Sequence, residues 1–298
     1  MFSKLRTLIF KIDPEKAHNL AIQSLKFNLV PSVFGENKKD PIFKTKIFDK
    51  DIDNPIGMAA GFDKNAEVYN PLFRLGFGFV EVGTITPLKQ YGNSKPRVFR
   101  LVKDEALINR LGFNNHGAKV ILDRIKSNKN LGVLGINVGP NKDSNNRMND
   151  YLIGLKTFHQ VADYITINIS SPNTENLRNF HEENKLQELL KSIIKEKNNL
   201  KSKVSIVVKV SPDINDNQVN YISKILLENE IKAIIISNTS ESSRDLLNDI
   251  QRHQKGGLSG KPIEKKSNIL INKFYKLLKG EIKIIGVGGV DSGQSAYD

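Results

Sequence analysis

Asparagine side chains at the ends of short apolar runs are the first sign of a binding site in this sequence. Asn137, Asn168 and Asn238 stand at such ends, and Asn173 lies five residues beyond Asn168. An amide offers two donors and an acceptor, so several amides together suit a planar ligand with alternating N–H and C=O groups. The residues therefore indicate a pocket for a pyrimidine or a flavin ring. The competing interpretation, loop asparagines that only form turns, fits any one of them and fits the group poorly.

Two lysines and a glycine motif add to this pattern. Lys64 and Lys209 stand at the ends of apolar runs, where an unpaired ammonium is costly to bury, so each is expected to face an anion or an electron-rich ring. Long side chains that reach solvent are the alternative. The motif GVGG at 286–289 follows another apolar run and could cradle a phosphate or simply form a tight turn.

The elements that must position these residues are apolar runs separated by stretches of helical periodicity. Runs that are buried on both faces and alternate with helices predict a parallel sheet covered by helices. Seven runs in a chain of 298 residues favour an α/β fold of the (β/α)8 TIM barrel type, with a doubly wound sheet as the competing topology. In a barrel, the polar residues that end the runs would all meet at one mouth. The runs are residues 55–60, 79–82, 133–138, 164–169, 205–210, 233–237 and 282–287.

Two segments fall outside this repeat. Residues 94–113 carry strand-like alternation and predict an inserted hairpin or loop over the mouth. Residues 1–40 predict an amphipathic two-helix extension: Phe2, Leu5, Leu8, Ile9 and Ile12 share one face of the first helix, and Asp13-Pro14-Glu15 begins the second. Residues 41–298 would then form the barrel. Such a basic extension could pack on its own domain or lie in a membrane interface.

Composition excludes several classes of site. The chain has no cysteine, which excludes disulfides, zinc–thiolate sites, iron–sulfur clusters and a cysteine nucleophile, and no metal site is expected. The formal charge of +13 comes mostly from lysines spread along the whole chain. Without an arginine-rich or aromatic-interleaved stripe it predicts a solvated surface and no nucleic-acid partner. No run approaches the roughly 20 residues that span a bilayer, and no cleaved signal is expected, so the interpretation is a cytoplasmic protein.

Five motifs, in order and spacing, resemble those of class 2 (quinone-dependent) dihydroorotate dehydrogenases. They are AAGFDK at 59–64, NRLGFNN at 109–115, INISSPNT at 167–174, GGLSG at 256–260 and IGVGG at 285–289. The resemblance implies a barrel that binds FMN and oxidises dihydroorotate to orotate in pyrimidine biosynthesis. Ser171 would be the base that takes the C5 proton while the C6 hydride passes to flavin N5, and Thr174 would form the proton relay, with Phe113 shaping its path.

The same resemblance assigns the remaining site residues. Orotate would be held by Lys64, Asn109, Arg110, Leu111, Gly112, Phe113, Asn168, Asn173, Asn238 and Thr239. FMN would contact Ala60, Gly61, Phe62, Asp63, Lys64, Thr84, Asn137, Asn168, Lys209, Ser237, Gly260 and Gly289, with Lys209 placed to stabilise negative charge on the reduced flavin.

The missing cysteine separates the subclasses, because soluble class 1 relatives use a cysteine base at the position of Ser171. In class 2 enzymes the N-terminal helices form a quinone tunnel at the membrane surface. The resemblance thus implies ubiquinone as final oxidant and a peripheral position on the cytoplasmic face of the inner cell membrane.

Two departures from the family pattern bear on these expectations. Ser237 stands where relatives often have threonine, and the family continues past Asp298 with a last helix, an eighth strand and a phosphate-gripping element. The barrel is therefore expected to be truncated before its eighth strand, and a non-catalytic fragment that binds flavin poorly is one alternative. A flavin barrel acting on another pyrimidine, such as a uracil reductase or an RNA dihydrouridine synthase, is the other. Asn109-Arg110 and Ser171 argue against it.

Overall fold

The computed structural model describes residues 2–29, 40–242 and 244–297, apart from the side chains of residues 2–5. Within them lie nine α-helices: α1 (Phe2–Ile9), α2 (Pro14–Lys26), α3 (Tyr69–Arg74), α4 (Ala118–Lys126), α5 (Arg147–Phe158), α6 (Glu183–Asn199), α7 (Asp216–Glu228), α8 (Glu264–Leu278) and α9 (Gly293–Tyr297). The same residues form twelve strands: β1 (Thr45–Ile47), β2 (Lys50–Ile52), β3 (Gly57–Met58), β4 (Phe79–Ile85), β5 (Val98–Leu101), β6 (Ala106–Asn109), β7 (Val133–Val138), β8 (Tyr164–Asn168), β9 (Ser205–Val210), β10 (Ala233–Ile236), β11 (Gly257–Gly260) and β12 (Lys283–Gly286).

Seven of the strands form one parallel sheet in the order β3-β4-β7-β8-β9-β10-β12. Each of the seven predicted runs overlaps one of them, although β3 is only two residues long and β4 continues to Ile85, past the run predicted at 79–82. Each barrel strand lies beside the next one along the chain, and the order never reverses. A doubly wound sheet needs such a reversal, so the α/β barrel topology is confirmed over its competitor.

Alternate residues of these strands point into the barrel, and their sizes are matched. Gly135 on β7 has no side chain because the ring of Tyr164 on β8 occupies that space: a Cβ at Gly135 would lie 2.0 Å from its Cζ. At the end opposite the mouth, an apolar cluster fills the interior and is closed by the β1–β2 hairpin, which the sequence did not predict. The buried members of this interior cluster are Ile47, Ile52, Val133, Tyr164, Val207, Ala233 and Ile235.

The larger apolar core lies between the outer face of the sheet and the helices. Local sequence explains where the helices begin. Asp13 Oδ1 accepts a hydrogen bond from the backbone N–H of Lys16 at the start of α2, 2.9 Å away, as predicted. Asn215 and Gln218 form a reciprocal capping box at the start of α7.

The segment 94–113 forms the predicted hairpin from β5 and β6. β11 adds a third antiparallel strand, in the order β11-β6-β5. The sequence indicated only a glycine motif at β11. Its glycines permit close packing, since a Cβ at Gly260 (φ +98°) would lie 2.4 Å from the carbonyl oxygen of Glu105.

The two N-terminal helices pack beside this hairpin. Ile22 and Leu25 of α2 are buried in the main core. Phe2 and Leu5 belong to the predicted apolar face of α1, but their side chains are outside the described part of the structure. Residues 30–39 of the predicted extension are also outside it. Across the described chain, none of the helices combines the length and apolarity needed to cross a membrane.

Candidate active site

A cavity of about 860 Å³ lies at the carboxyl ends of the barrel strands and continues to α2. This is the end of a barrel where active sites are built, and the volume suits a cofactor with a small substrate. Most of the predicted site residues line it: Ala60, Gly61, Phe62, Asp63, Lys64, Thr84, Asn109, Leu111, Gly112, Phe113, Asn168, Ser171, Asn173, Lys209, Ser237, Asn238 and Thr239.

Five predicted site residues do not line the cavity. Asn137 lies behind Thr84, Thr174 is buried, and Gly260 and Gly289 pack against backbone and side chains of neighbouring segments. Arg110 turns outward: its guanidinium donates to Gln254 Oε1 and to the carbonyl oxygens of Lys255 and Pro96, and it lies 4.5 Å from the ring centroid of Phe99. Their roles toward substrate or flavin stay predictions.

The site amides are connected by hydrogen bonds across three strands. Asn168 Nδ2 donates to Thr84 Oγ1 (2.8 Å), and Thr84 Oγ1 donates to Asn137 Oδ1 (2.6 Å). Asn168 Oδ1 accepts from Ser170 Oγ (2.9 Å) and from Asn238 Nδ2 (3.4 Å). Because each amide is fixed by its neighbour, the groups facing the cavity are held in place before any ligand enters.

Ser171 lies on the loop after β8 and faces the cavity, only 5% exposed. Its Oγ accepts a hydrogen bond from the backbone N–H of Asn173 at 3.2 Å. Asn173 Nδ2 in turn donates to Asn109 Oδ1 at 3.2 Å, which connects the β8 loop to the end of β6. An accepting Oγ keeps its own hydrogen available, and the N–H it accepts from stabilises negative charge on that oxygen.

The two predicted lysines both face the cavity. Lys64 Nζ donates to the carbonyl oxygen of Gly61 (2.6 Å), and burial lowers the pKa of Lys64 to about 8. Lys209 is 6% exposed, and burial lowers its pKa too, against the field of Glu81, which raises it. Within the described chain Lys209 Nζ has no hydrogen-bond partner. A buried ammonium without a hydrogen-bond partner favours an anionic or electron-rich ligand.

Backbone contacts hold the loops that carry these side chains. The carboxylate of Asp63 accepts hydrogen bonds from the N–H groups of Asn65, Glu67 and Val68 and so fixes the loop after β3. Arg178 donates to the carbonyl oxygens of Ser170 (3.2 Å) and Thr239 (3.0 Å), joining the loops after β8 and β10. Asp63, predicted to contact the cofactor, thus already has a structural role.

Sequence reasoning missed three residues around the cavity. His18 of α2 packs edge-on against Phe62, with ring centroids 5.2 Å apart, and burial lowers the pKa of His18 to about 4. Arg100 of β5 lines the same end and donates to the carbonyl oxygen of Ile12 at 2.6 Å. Glu81 lies inside the barrel below the amides. Glu81 had a visible signal, an acid within an apolar run, whereas His18 and Arg100 reach the site only through long-range packing.

The donor set fits a flavin better than a metal. Among the described residues, no group of three or more His, Cys, Asp or Glu side chains is placed to hold a metal ion. By contrast, no described atom lies within 4 Å of the position that a Gly61 Cβ would take, so a planar ring can approach that backbone closely. Together with Lys209 and the fixed amides, this open wall forms a cradle for a planar, polar-edged group.

Comparisons with known proteins agree with this geometry. A family model described as dihydroorotate dehydrogenase matches residues 42–298. The dihydroorotate dehydrogenase (quinone) of Agrobacterium fabrum is 42% identical over 303 residues, which cover 100% of this chain and 83% of that protein. The protein of the same description from Idiomarina loihiensis is 43% identical over 303 residues, covering 99% and 90%.

The fold has close matches among solved structures as well. The crystal structure of ligand-free DHODH from Eimeria tenella superposes with a TM-score of 0.91 at 36% identity, covering 96% of this chain and 85% of that one. The DHODH of the same organism in complex with ferulenol gives a TM-score of 0.91 at 35% identity.

Proposed function

Since this chain belongs to the dihydroorotate dehydrogenase family, we propose that it oxidises dihydroorotate to orotate in pyrimidine biosynthesis, with FMN as hydride acceptor and ubiquinone as final oxidant. The observation that carries the proposal is one continuous cavity, lined by the fixed amides and lysines at the strand ends and by residues of α1 and α2. One volume thereby serves a polar substrate at one end and an apolar oxidant at the other.

FMN, when bound, supplies an acceptor for two electrons that can then be passed on. In this chain Gly61, Thr84 and Lys209 line the cavity and would hold its ring there. The ammonium of Lys209 would lie next to the ring and stabilise negative charge on it, which favours reduction.

Substrate binding falls to Lys64 and the amides. The Lys64 ammonium would pair with the carboxylate of dihydroorotate, and Asn109, Asn173 and Asn238 would bind the edge of its ring. A ring held on several sides presents one carbon to the base and its neighbour to the hydride acceptor.

Ser171 would remove the proton. Serine is a weak base by itself, so two features of its surroundings matter. The Asn173 N–H stabilises the oxyanion that forms as the Ser171 hydroxyl gives up its hydrogen, and the site holds the C–H bond against Oγ. Thr174, buried three residues along the same loop, would pass the proton outward, and Phe113 at the cavity wall would shape its path.

The helical end of the cavity would admit the quinone. Ala17, His18 and Ile22 of α2 line that end. Exposed apolar side chains, Leu8 (63%), Leu20 (55%) and Phe27 (67%), lie on or next to the same helices, with basic Arg6 and Lys11 nearby. We therefore propose peripheral contact with the cytoplasmic face of the inner membrane.

The experiment that tests this function is anaerobic reduction of the FMN-loaded protein by dihydroorotate, followed by bleaching of the flavin absorbance. We expect bleaching in the unchanged protein and a rate at least ~100-fold lower in Ser171→Ala, the usual scale for a positioned base. Ser127→Ala, the same change at an exposed helix end, should match the unchanged protein. Absence of bleaching in the unchanged protein would refute the activity, and full-rate bleaching in Ser171→Ala would refute the role of Ser171.

A further inference from the structure

Glu81 is a buried acid that the proposed chemistry leaves unused. It lies in the middle of β4, points into the barrel and is 3% exposed. Gly83 is two residues further along β4, so it lies on the same side of the strand, and it lines the cavity. Glu81 therefore lies one inward-facing position below the cavity. A carboxylate in such a place is costly unless hydrogen bonds and an opposite charge compensate it.

Hydrogen bonds are present on both carboxylate oxygens. Asn137 Nδ2 donates to Glu81 Oε1 at 2.8 Å, and Thr166 Oγ1 donates to Glu81 Oε2 at 2.7 Å. Thr166 is fully buried on β8, directly across from Asn137 in the parallel ladder. Each carboxylate oxygen thus has its own donor, from a different strand.

A carboxylate accepts hydrogen bonds and cannot donate, so it fixes the direction of every bond that leads away from it. Because Glu81 takes the NH2 group of Asn137, the Oδ1 of Asn137 must face Thr84. Thr84 Oγ–H must then donate to that oxygen, at 2.6 Å, and its lone pair is left to accept from Asn168 Nδ2, at 2.8 Å.

The last step reaches the groups that face substrate. With its NH2 group committed to Thr84, Asn168 presents Oδ1 to Asn238 Nδ2, at 3.4 Å, and to Ser170 Oγ. Asn238 then has its own Oδ1 directed at the backbone N–H of Thr239, at 2.8 Å. The donor and acceptor pattern at the mouth is therefore set four side chains away, by an acid that touches no ligand.

The same acid acts on Lys209. Lys209 lies two residues past Val207 on the interior side of β9, and the register partner of Val207 is Thr166, which donates to Glu81, so both charged side chains point into the barrel. The ammonium of Lys209 lines the cavity next to the proposed flavin position, and within the described chain Glu81 is the charged group whose field acts on it. Asn168 and Lys209 are register partners on β8 and β9. The residue that carries the positive charge therefore lies next to an amide of the hydrogen-bonded series that starts at Glu81.

We propose that Glu81 is a positioning residue: from beneath the site it fixes the hydrogen-bond direction of Asn137, Thr84 and Asn168 and supplies the counter-charge of Lys209. The second role deepens the proposed function, since it concerns the flavin. The first holds for the chain without any ligand.

The first test uses the full chain without flavin. Glu81→Gln, Lys209→Met and the double variant are compared by urea unfolding. Loss of either partner alone leaves a buried charge, so each single change should lower the folding equilibrium constant by on the order of a hundredfold. The double variant should be clearly less affected than the product of the two. Additive effects would overturn the charge pairing, whether or not the chain later proves to bind FMN.

The second test measures FMN affinity by fluorescence quenching, together with the reduction potential of the bound flavin. Glu81→Gln keeps the shape but adds a donor and removes the negative charge that offsets Lys209, so we expect about tenfold weaker binding and a higher potential. Glu81→Asp keeps an acceptor-only anion and should recover most of both. Glu188→Gln, an exposed acid on α6, is the matched control and should change neither.

These outcomes separate the inference from the function it deepens. If Glu81→Gln binds FMN like the unchanged protein and at the same potential, the positioning role is wrong. Equal damage in Glu81→Gln and Glu81→Asp would also overturn it, since shape and not charge would then matter. If the unchanged protein binds FMN and is not reduced by dihydroorotate, the proposed function fails while both tests of Glu81 still stand.

Discussion

Lys64 has an ionisation that should control ligand affinity. Burial, and secondarily the field of Arg97, lowers the pKa of Lys64 to about 8, although Glu15 and Asp63 oppose the shift. The protonated form holds an anionic ligand, so the charge is available below about pH 8 and is lost above it. We expect the Kd for orotate to be flat below pH 7 and to rise about tenfold per pH unit above pH 8.

The pH dependence can be assigned to this one side chain. Lys64→Arg keeps a positive charge throughout the range, so its Kd, measured from the flavin spectrum between pH 6 and 10, should lose the rise. Persistence of the same rise in Lys64→Arg would show that another group is responsible.

His181 should make stability depend on pH. It is 2% exposed, its Nε2 accepts from the backbone N–H of Ser211 (3.2 Å), and its Nδ1 lies 3.0 Å from the carbonyl oxygen of Arg178. Burial lowers the pKa of His181 to about 4. Between pH 6.5 and 4, His181 is therefore protonated in the unfolded chain and neutral in the folded chain. Its contribution to the free energy of unfolding is lost as the pH falls through this range.

The loss should amount to roughly 3 kcal/mol between pH 7 and pH 4, beyond what the carboxyl groups cause. Urea unfolding of His181→Gln at both pH values should lack this part of the difference. His116→Gln, at an exposed histidine, serves as the control. Equal acid sensitivity in His181→Gln and the unchanged chain would contradict the assignment.

At the residue scale, the sequence predicted site residues where a polar side chain stands at the end of an apolar strand. Asn168, Asn238 and Lys209 could be predicted because polar groups at strand ends meet at a barrel mouth. Arg110 belongs to the same motif as Asn109 and yet points outward to Gln254. A motif does not reveal which way a side chain turns. That Glu81 would meet donors from β7 and β8 depends on strand register, which the sequence does not contain.

At the scale of elements, the β5–β6 hairpin holds the N-terminal helices. Arg97, 6% exposed at the start of β5, pairs with Glu15 of α2 at 2.6 Å and donates to the carbonyl oxygens of Tyr91 and Asn93. Glu15→Gln would leave the Arg97 charge buried and only partly compensated. We expect it to lower the free energy of unfolding by about 2 kcal/mol.

Lys95 provides the comparison, because its Nζ lies 3.5 Å from the same carboxylate but is 65% exposed. Lys95→Gln should cost less than about 1 kcal/mol in the same urea experiment, since water screens an exposed pair. If the two variants are equally stable, the helices are not held by the buried pair.

Elements could be predicted where apolar periodicity is strong. The runs of β7 and β9 coincide with the strands residue for residue, because six consecutive positions are buried or nearly so. β11 and the β1–β2 hairpin were missed. β11 is half glycine, and β1 and β2 have three residues each with one buried, which leaves no period to detect. These three segments are strands because they pair with neighbouring strands, β1 with β2 and β11 with β6, and not because of their own sequences.

At the scale of the whole molecule, the cavity predicts that the two half-reactions can be separated. Ala17 of α2 lines the helical end of the cavity, whereas Ser171 lines it from the loop after β8. Ala17→Phe should fill that end and slow reoxidation of the flavin by a short-chain ubiquinone by at least ~10-fold. Flavin reduction by dihydroorotate should change less than about twofold.

Lys16→Phe gives the matched control, because Lys16 is exposed on the same helix and does not line the cavity. Stopped-flow absorbance would follow each half-reaction separately. An equal slowing of both by Ala17→Phe would mean that the helical end is not a separate entrance.

The β5–β6 hairpin touches both ends of this cavity. Arg97 and Arg100 hold the helices at one end, and Asn109, paired with Val98 in the same ladder, faces the other. When two ligands contact one structural element, each changes the affinity for the other, and thermodynamic linkage requires the two effects to be equal. A molecule lodged between the helices should therefore change orotate affinity by the same factor by which orotate changes its own. Inhibitors aimed at the helical end of the cavity would then be potentiated or antagonised by orotate.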